Sequence, residues 1–216
     1  MNKLILTIST LALLGSSAFA LSVNQIVNQS KASIVAIIES NSKTGETFEA
    51  TGWFITGKRI VTNSHVVENG RNVDLIQIVN VVTGQQYTMD HIAYNNNMTD
   101  VAIITIAGNN TTYLNLSTLE PKVGMSVVVI GNPKEEYGRV LTGTLGQTQY
   151  YGLNKRQNYT LVNAAIEGGS SGSPVLDPNG DVIGMIWGAN EDGKSEGAAV
   201  NLKTFVWLNW TLLTST

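Results

Sequence analysis

The hydrophobic positions of this chain come in short runs closed off by turns, and most runs are built of β-branched and aromatic residues. Residues 33–38, 48–56, 73–82, 100–106, 126–130, 159–165 and 181–187 each predict a strand, because such side chains fit a pleated, half-buried surface. The dipeptides Asn69-Gly70, Gly108-Asn109 and Asn179-Gly180 fall between them as turns. Neither a strand–helix–strand rhythm nor a recurring helical period runs through the middle, which argues against a doubly wound parallel sheet. The one convincing helical pattern is at the end. There Leu202, Phe205, Val206, Leu208 and Trp210 make a broad apolar side that Leu212 and Leu213 continue, predicting a helix that docks on a barrel or between barrels. Length and strand count fit either two small antiparallel barrels or one large sandwich.

Residues 1–20 follow a different logic. Lys3 gives a positive start, residues 4–14 are an apolar run broken only by Thr7, Ser9 and Thr10, and Ala18-Phe19-Ala20 has the small-x-small form that a signal peptidase reads. A cleaved secretory signal is expected, leaving residues 21–216 as the mature domain. The run is too short to span a bilayer comfortably, so no stable membrane insertion is expected after cleavage.

Composition narrows the function. The 216 residues include no cysteine, which excludes a disulfide scaffold, a cysteine-ligated metal and a thiolate nucleophile. An exported chain without disulfides fits a bacterial periplasmic or secreted protein. A hydrophobic fraction of 43% with 13% charged residues describes a chain that can bury a core rather than a disordered one. The formal charge of -3, with no Lys/Arg block, offers no electrostatic footprint for nucleic acid.

Two features carry chemistry. Glu167-Gly168-Gly169-Ser170-Ser171-Gly172-Ser173-Pro174-Val175 is either a plain loop or a tight bend presenting a serine hydroxyl beside converging backbone N–H groups. Histidine is scarce: only His65 and His91 occur, both upstream of that segment. An α/β-hydrolase places its histidine last, so that order fails and the order His, Asp, Ser remains. Asp100 supplies the intervening acid at the mouth of an apolar run, and His65 follows another such run, Ile60-Val61-Thr62. His91, beside Asp90 in a polar–apolar alternation, reads as a sheet or surface residue.

At these residues the chain resembles the chymotrypsin-fold serine proteases, in the bacterial branches typified by the glutamyl endopeptidases and the HtrA-type proteases. Thr62-Asn63-Ser64-His65-Val66-Val67 is similar to the histidine motif Thr-Asn-x-His-Val-Val. Thr99-Asp100-Val101-Ala102-Ile103-Ile104 is similar to the acidic motif, Gly169-Ser170-Ser171-Gly172-Ser173-Pro174-Val175 to the nucleophile motif, and Asp181-Val182-Ile183-Gly184 to the strand that follows it. The resemblance implies an all-β fold of two antiparallel six-stranded β-barrels, approximately residues 30–115 and 116–200, with a C-terminal helix. It also implies peptide-bond hydrolysis through an acyl-enzyme: Ser171 as nucleophile, His65 as general base and acid, Asp100 orienting the imidazole, and the N–H groups of Gly169 and Ser171 as oxyanion hole. No cofactor and no metal are called for, and the partner is a polypeptide substrate.

Carried across residue by residue, the primary pocket falls on Ala165, Ile166, Ile186, Trp187 and Gly188. Glutamyl endopeptidases place a His before that Trp and a Thr five residues before the nucleophile, where this chain has Ile186 and Ile166. Neither neutralises a buried carboxylate, and Ala165 stands where a trypsin-like pocket has its acid, so an uncharged, apolar P1 residue is expected. Glu167 and Lys194 stand by as rim residues. The expected mature start, Leu21-Ser22-Val23-Asn24, lacks the Ile-Val-Gly-Gly of trypsin-like zymogens, and Thr216 follows the predicted helix without a PDZ domain, so a single-domain monomer is expected. The alternative is a catalytically inactive homologue acting as a binding or scaffold protein.

Overall fold

The computed structural model describes residues 20–68, 73–151, 156–189 and 197–201. The predicted signal segment apart from Ala20, the predicted C-terminal helix and Lys194 lie outside the described residues. The first six strands are β1 (Ile34–Ser40), β2 (Thr47–Thr56), β3 (Arg59–Thr62), β4 (Leu75–Asn80), β5 (Gln86–Asn96) and β6 (Val101–Ala107). They form an antiparallel sheet in the order β1-β2-β3-β6-β5-β4, closed into a barrel by pairing of β4 with β1. A second set, β7 (Ser126–Gly131), β8 (Arg139–Tyr151), β9 (Arg156–Val162), β10 (Pro174–Leu176), β11 (Val182–Ala189) and β12 (Gly197–Asn201), closes in the order β10-β11-β12-β9-β8-β7. The two-barrel fold expected from the sequence motifs is the fold found, and the sandwich is excluded.

Three apolar cores explain the continuous hydrophobic runs. In a barrel, alternate residues of a strand point inward and outward. Val35, Ile37, Phe54, Ile60 and Ile104 fill the first barrel, and Val127, Val129, Leu161, Val175 and Ile183 the second. The outward residues of the strands that face one another fill a third core between the barrels, formed by Ile34, Trp53, Val61, Ile103, Val128, Ile130, Leu176 and Met185. Strands β1, β2, β3, β6, β7, β10 and β11 therefore bury both faces and read as unbroken apolar runs.

The structure corrects the reading at several places. A helix, α1 (Val23–Ser30), precedes the first barrel, where the sequence pattern indicated helix only at the far end. Its apolar face is narrow, with Ile26 the buried hydrophobic residue, so periodicity was weak; the readable signal was the Ser22/Gln25 capping box. Strands β8 and β12 were not anticipated, and β5 only through the polar–apolar alternation around His91, since Gln86–Asn96 is largely exposed and Arg139–Tyr151 is rich in Gly, Thr and Gln. Among the described residues no helix is long and apolar enough to cross a membrane.

Trp53 is fully buried in the core between the barrels. Trp53→Ala is expected to cost about 3–5 kcal/mol, from lost transfer energy plus the cavity left behind. Urea unfolding with an unchanged slope would show it; a loss under about 1 kcal/mol would mean that the barrels dock without this side chain.

Candidate active site

The meeting of His65 and Asp100 follows from strand register. β3 pairs with β6 so that Thr62 lies opposite Ala102, which puts the end of β3 beside the start of β6. The chain leaves β3 through Asn63 into a single helical turn, α2 (Ser64–Val67), that carries His65, while Asp100 immediately precedes β6. Imidazole Nδ1 lies 3.0 Å from Oδ1 and 2.9 Å from Oδ2 of Asp100, and the backbone N–H of His65 donates to Oδ1 at 3.0 Å. A carboxylate in that place fixes the proton on Nδ1 and leaves Nε2 with a free lone pair. Asp100 is 8% exposed and holds a left-handed backbone, φ 55°, that Asn63 secures by donating its side-chain N–H to the Asp100 carbonyl at 3.0 Å. Asp tolerates this region better than most residues but still at a cost of about 1–2 kcal/mol.

Ser171 comes from the other barrel, on the bend between β9 and β10. Gly169 (φ 93°) and Gly172 (φ 85°) make the bend, and no other residue fits either place. A Cβ on Gly169 would lie 2.2 Å from the Asn132 carbonyl oxygen, and one on Gly172 1.9 Å from that of Thr51. The three serines of the loop separate cleanly: Ser170 and Ser173 are buried at 1% and 0% exposure, whereas Ser171 is half-buried at the cleft. Among the described residues no protein acceptor takes the N–H of Gly169 or of Ser171.

His65, Ser171 and Gly169 border one cleft of about 380 Å³, walled also by Phe48, Ala50 and Lys134. The Ser171 hydroxyl is not hydrogen-bonded to the imidazole in this structure; such bonds commonly tighten only when substrate is bound. His91 lies apart from this cleft, paired at 2.9 Å with Asp90 on an exposed part of β5.

The residues of the expected primary pocket divide. Ile186 is fully buried and Ile166 9% exposed, both within the core of the second barrel, whereas Ala165 is exposed and Trp187 and Gly188 half-buried. Ile186 is thus a core residue, and none of the five lines the cleft beside His65 and Ser171.

Sequence reasoning missed the residues that hold the site together. Thr51 N–H donates to the Ser171 carbonyl at 2.8 Å, and Thr51 Oγ1 donates to the Gly169 carbonyl at 2.9 Å while accepting from Asn132 N–H at 3.1 Å. Asn132 Nδ2 donates to the Val35 carbonyl at 3.0 Å, tying the end of β7 to the first barrel. Gly131-Asn132-Pro133 carried a turn signal that marks this place; nothing in the sequence distinguishes Thr51 from other strand threonines. After Asn132 the chain makes a strained turn in which Lys134 (φ 48°) and Glu135 (φ 63°) are both left-handed.

Fold and cleft together define a chymotrypsin-like two-barrel protein. The chain belongs to the family of the trypsin-like peptidase domain, whose model matches residues 50–185. Serine protease Rv3671c of Mycobacterium tuberculosis is 30% identical over 187 residues, covering 81% of this chain and 44% of that protein. A probable periplasmic serine endoprotease, DegP-like, of Chlamydia pneumoniae is 33% identical over 147 residues, 65% of this chain and 28% of that protein. The chain thus spans less than half the length of these curated relatives. The crystal structure of the Rv3671c protease in its active form matches with a TM-score of 0.77 at 23% identity, over 89% of this chain and 86% of that one. The serine endoprotease from Yersinia pestis matches at 0.73 and 22%, over 90% of this chain and 68% of that one.

Gly172→Ala is expected to destabilise the protein by at least about 2 kcal/mol, through positive-φ strain and the overlap with Thr51, and to displace Ser171. Denaturant midpoints check the first part. A variant of wild-type stability would show that the seam against Thr51 can shift.

Proposed function

We propose that this chain is a serine endopeptidase that hydrolyses peptide bonds through an acyl-enzyme, with His65, Asp100 and Ser171 as its triad. The observation that carries the reading is the imidazole seated on both oxygens of Asp100 while Ser171 borders the same cleft. Ser171 Oγ attacks the scissile carbonyl, and His65 Nε2 takes its proton and returns it to the leaving amine. Asp100 keeps the imidazole in the required tautomer and stabilises its charged form. The N–H groups of Gly169 and Ser171 receive the developing oxyanion, an interaction worth about 2.7–4 kcal/mol for one donor in a comparable site. The catalytically inactive homologue is disfavoured, because all three side chains and both donors are kept. Export by residues 1–20 to the periplasm or the medium, and action as a monomer, belong to the same proposal.

The P1 residue is proposed to be uncharged and apolar. Support comes from residue type at the positions carried across from the family, where Ala165, Ile166 and Ile186 supply no countercharge.

Ser171→Ala is expected to lower kcat at least about 1,000-fold with folding intact, and Asp100→Asn about 10⁴-fold with little change in affinity. Ser170→Ala and Asp90→Asn should be close to silent. Steady-state kinetics with mass-spectrometric mapping of a serine phosphonate decides this: an active Ser171→Ala protein, or a label on Ser170, overturns the assignment.

Specificity is tested separately, by mapping the cuts made in a denatured proteome. Cuts after medium and large apolar residues are expected, since each methylene buried from such a side chain is worth about 0.8 kcal/mol, whereas a charge forfeits its hydration. A dominant Glu, Lys or Arg at P1 would refute the apolar pocket.

A further inference from the structure

The turn that follows β7 touches both walls of the cleft, and its charged side chains are not used by the mechanism above. On one side Glu135 N–H and Tyr137 Oη donate to the two carboxylate oxygens of Glu49, on β2, each at 3.0 Å. On the other side the turn holds the loop that carries the oxyanion donors. Lys134 N–H donates to the Gly168 carbonyl at 3.0 Å, and Lys134 Nζ reaches Glu167 Oε1 at 2.7 Å. Arg139 Nη1 reaches the other oxygen of Glu167 at 3.1 Å, and also pairs with Glu136 at 3.5 Å. Glu167 is two residues before Gly169, so its carboxylate is fastened at both oxygens beside the peptides whose N–H groups must face the cleft.

We propose that Glu167, clamped by Lys134 and Arg139, is a positioning residue that holds the Gly168–Gly169 segment in the orientation the oxyanion hole requires. The inference rests on the endopeptidase reading and deepens it by naming what keeps that hole formed. Geometry gives the reason. Gly168 and Gly169 have no side chains with which to anchor themselves, and a Gly–Gly peptide turns over more readily than any other. Two of its restraints are backbone-level, the Lys134 N–H on the Gly168 carbonyl and the Thr51 hydroxyl on the Gly169 carbonyl. The first depends on Lys134 keeping a left-handed backbone, a conformation that persists only where surrounding bonds over-determine it. The Lys134–Glu167 pair supplies such a bond on the loop side, and the Glu49 contacts supply it on the β2 side. In keeping with this, the hydrogen bond from Lys134, and then the charges of Lys134 and Arg139, hold the Glu167 carboxyl below the usual glutamate range.

The clamp is half-exposed, with side-chain exposures of 68% for Lys134, 33% for Arg139 and 29% for Glu167, so salt should weaken it. This separates it from a merely structural role. The experiment measures kcat and KM on an internally quenched peptide, together with the rate of labelling by a serine phosphonate, for the wild type, Glu167→Gln, Lys134→Met and the remote control Asp90→Asn. Salt is varied from about 0.01 M to about 1 M, which shortens the screening length from about 30 Å to about 3 Å. Glu167→Gln is expected to lower kcat and labelling in parallel, about tenfold at low salt, with KM within about twofold. Deleting a whole donor costs about 10²–10³, and this variant leaves both N–H groups in place but less often aligned. The wild type and Asp90→Asn should lose activity as salt rises, while Glu167→Gln stays flat. Lys134→Met keeps its backbone donor and the Arg139 contact, so it should fall between the two, and it serves as the readout if Glu167→Gln fails to fold. An active wild type with either folded clamp variant unchanged in kcat and in salt slope overturns the clamp and leaves the endopeptidase reading intact. A wild type that neither cleaves the peptide nor takes the phosphonate overturns both.

Discussion

Everything in the site depends on the seam at Thr51. On the proposed assignment the acid and base belong to one barrel and the nucleophile with its oxyanion donors to the other, so the geometry of the site is set by how the barrels dock. Thr51 spends its N–H on the Ser171 carbonyl and its hydroxyl between Gly169 and Asn132, all in the second half of the chain, while its carbonyl accepts from Thr62 Oγ1 at 2.8 Å within its own barrel. A hydroxyl has one proton and two lone pairs, and Asn132 Nδ2 at 3.2 Å takes the remaining one. At 0% exposure each of these bonds is expensive to leave unmade, so the seam tolerates little slippage. Gly172 lies hard against the Thr51 carbonyl, and steric exclusion thereby backs up the hydrogen bonds.

The apolar core between the barrels does the complementary work. Hydrophobic burial is non-directional and would accept a range of docking angles, whereas the Thr51 bonds select one. This is also why the fold was readable. A strand such as Ile34–Ser40, buried on both faces, reads as an unbroken run of strong β-formers, and such runs mark the strands that line the seam. Strands that face solvent on one side lose that signature. Gln86–Asn96 and Arg139–Tyr151 carry Asn, Gln, Thr and Gly, and became strands because closing each barrel requires a partner, a constraint that no local window contains.

The proposed chemical groups of the site stand out in the sequence for a different reason. His65, Asp100 and Ser171 sit in motifs whose neighbours are fixed by backbone demands: Asn63 holding the Asp100 carbonyl, Gly169 and Gly172 supplying positive φ. Residues that act through long-range hydrogen bonds leave no such trace. Thr51 lies 118 positions from the Gly169 carbonyl that it binds, and looks in sequence like any strand threonine. Ile186 illustrates the converse limit. It was expected in a pocket wall, yet strand alternation decides whether a side chain faces core or cleft, and here it is wholly buried.

Three of the four non-glycine residues with left-handed backbones among the described residues lie at or against the cleft, Asn163 (φ 63°) being the exception, and there is a physical reason for the three. Asp100, Lys134 and Glu135 all adopt left-handed backbones, and each is secured by a contact to a neighbouring element: Asn63 to Asp100, Gly168 to Lys134, Glu49 to Glu135. Regular strands cannot deliver side chains and N–H groups from two barrels to one point, because their directions are fixed by the pleat. The chain must therefore leave the sheets at sharp angles just where the chemistry occurs. Each sharp turn costs conformational energy that only a specific contact offsets. The same contacts that stabilise the turns consequently shape the cleft, which ties its form to the stability of the loops around it as well as to the docking of the barrels beneath.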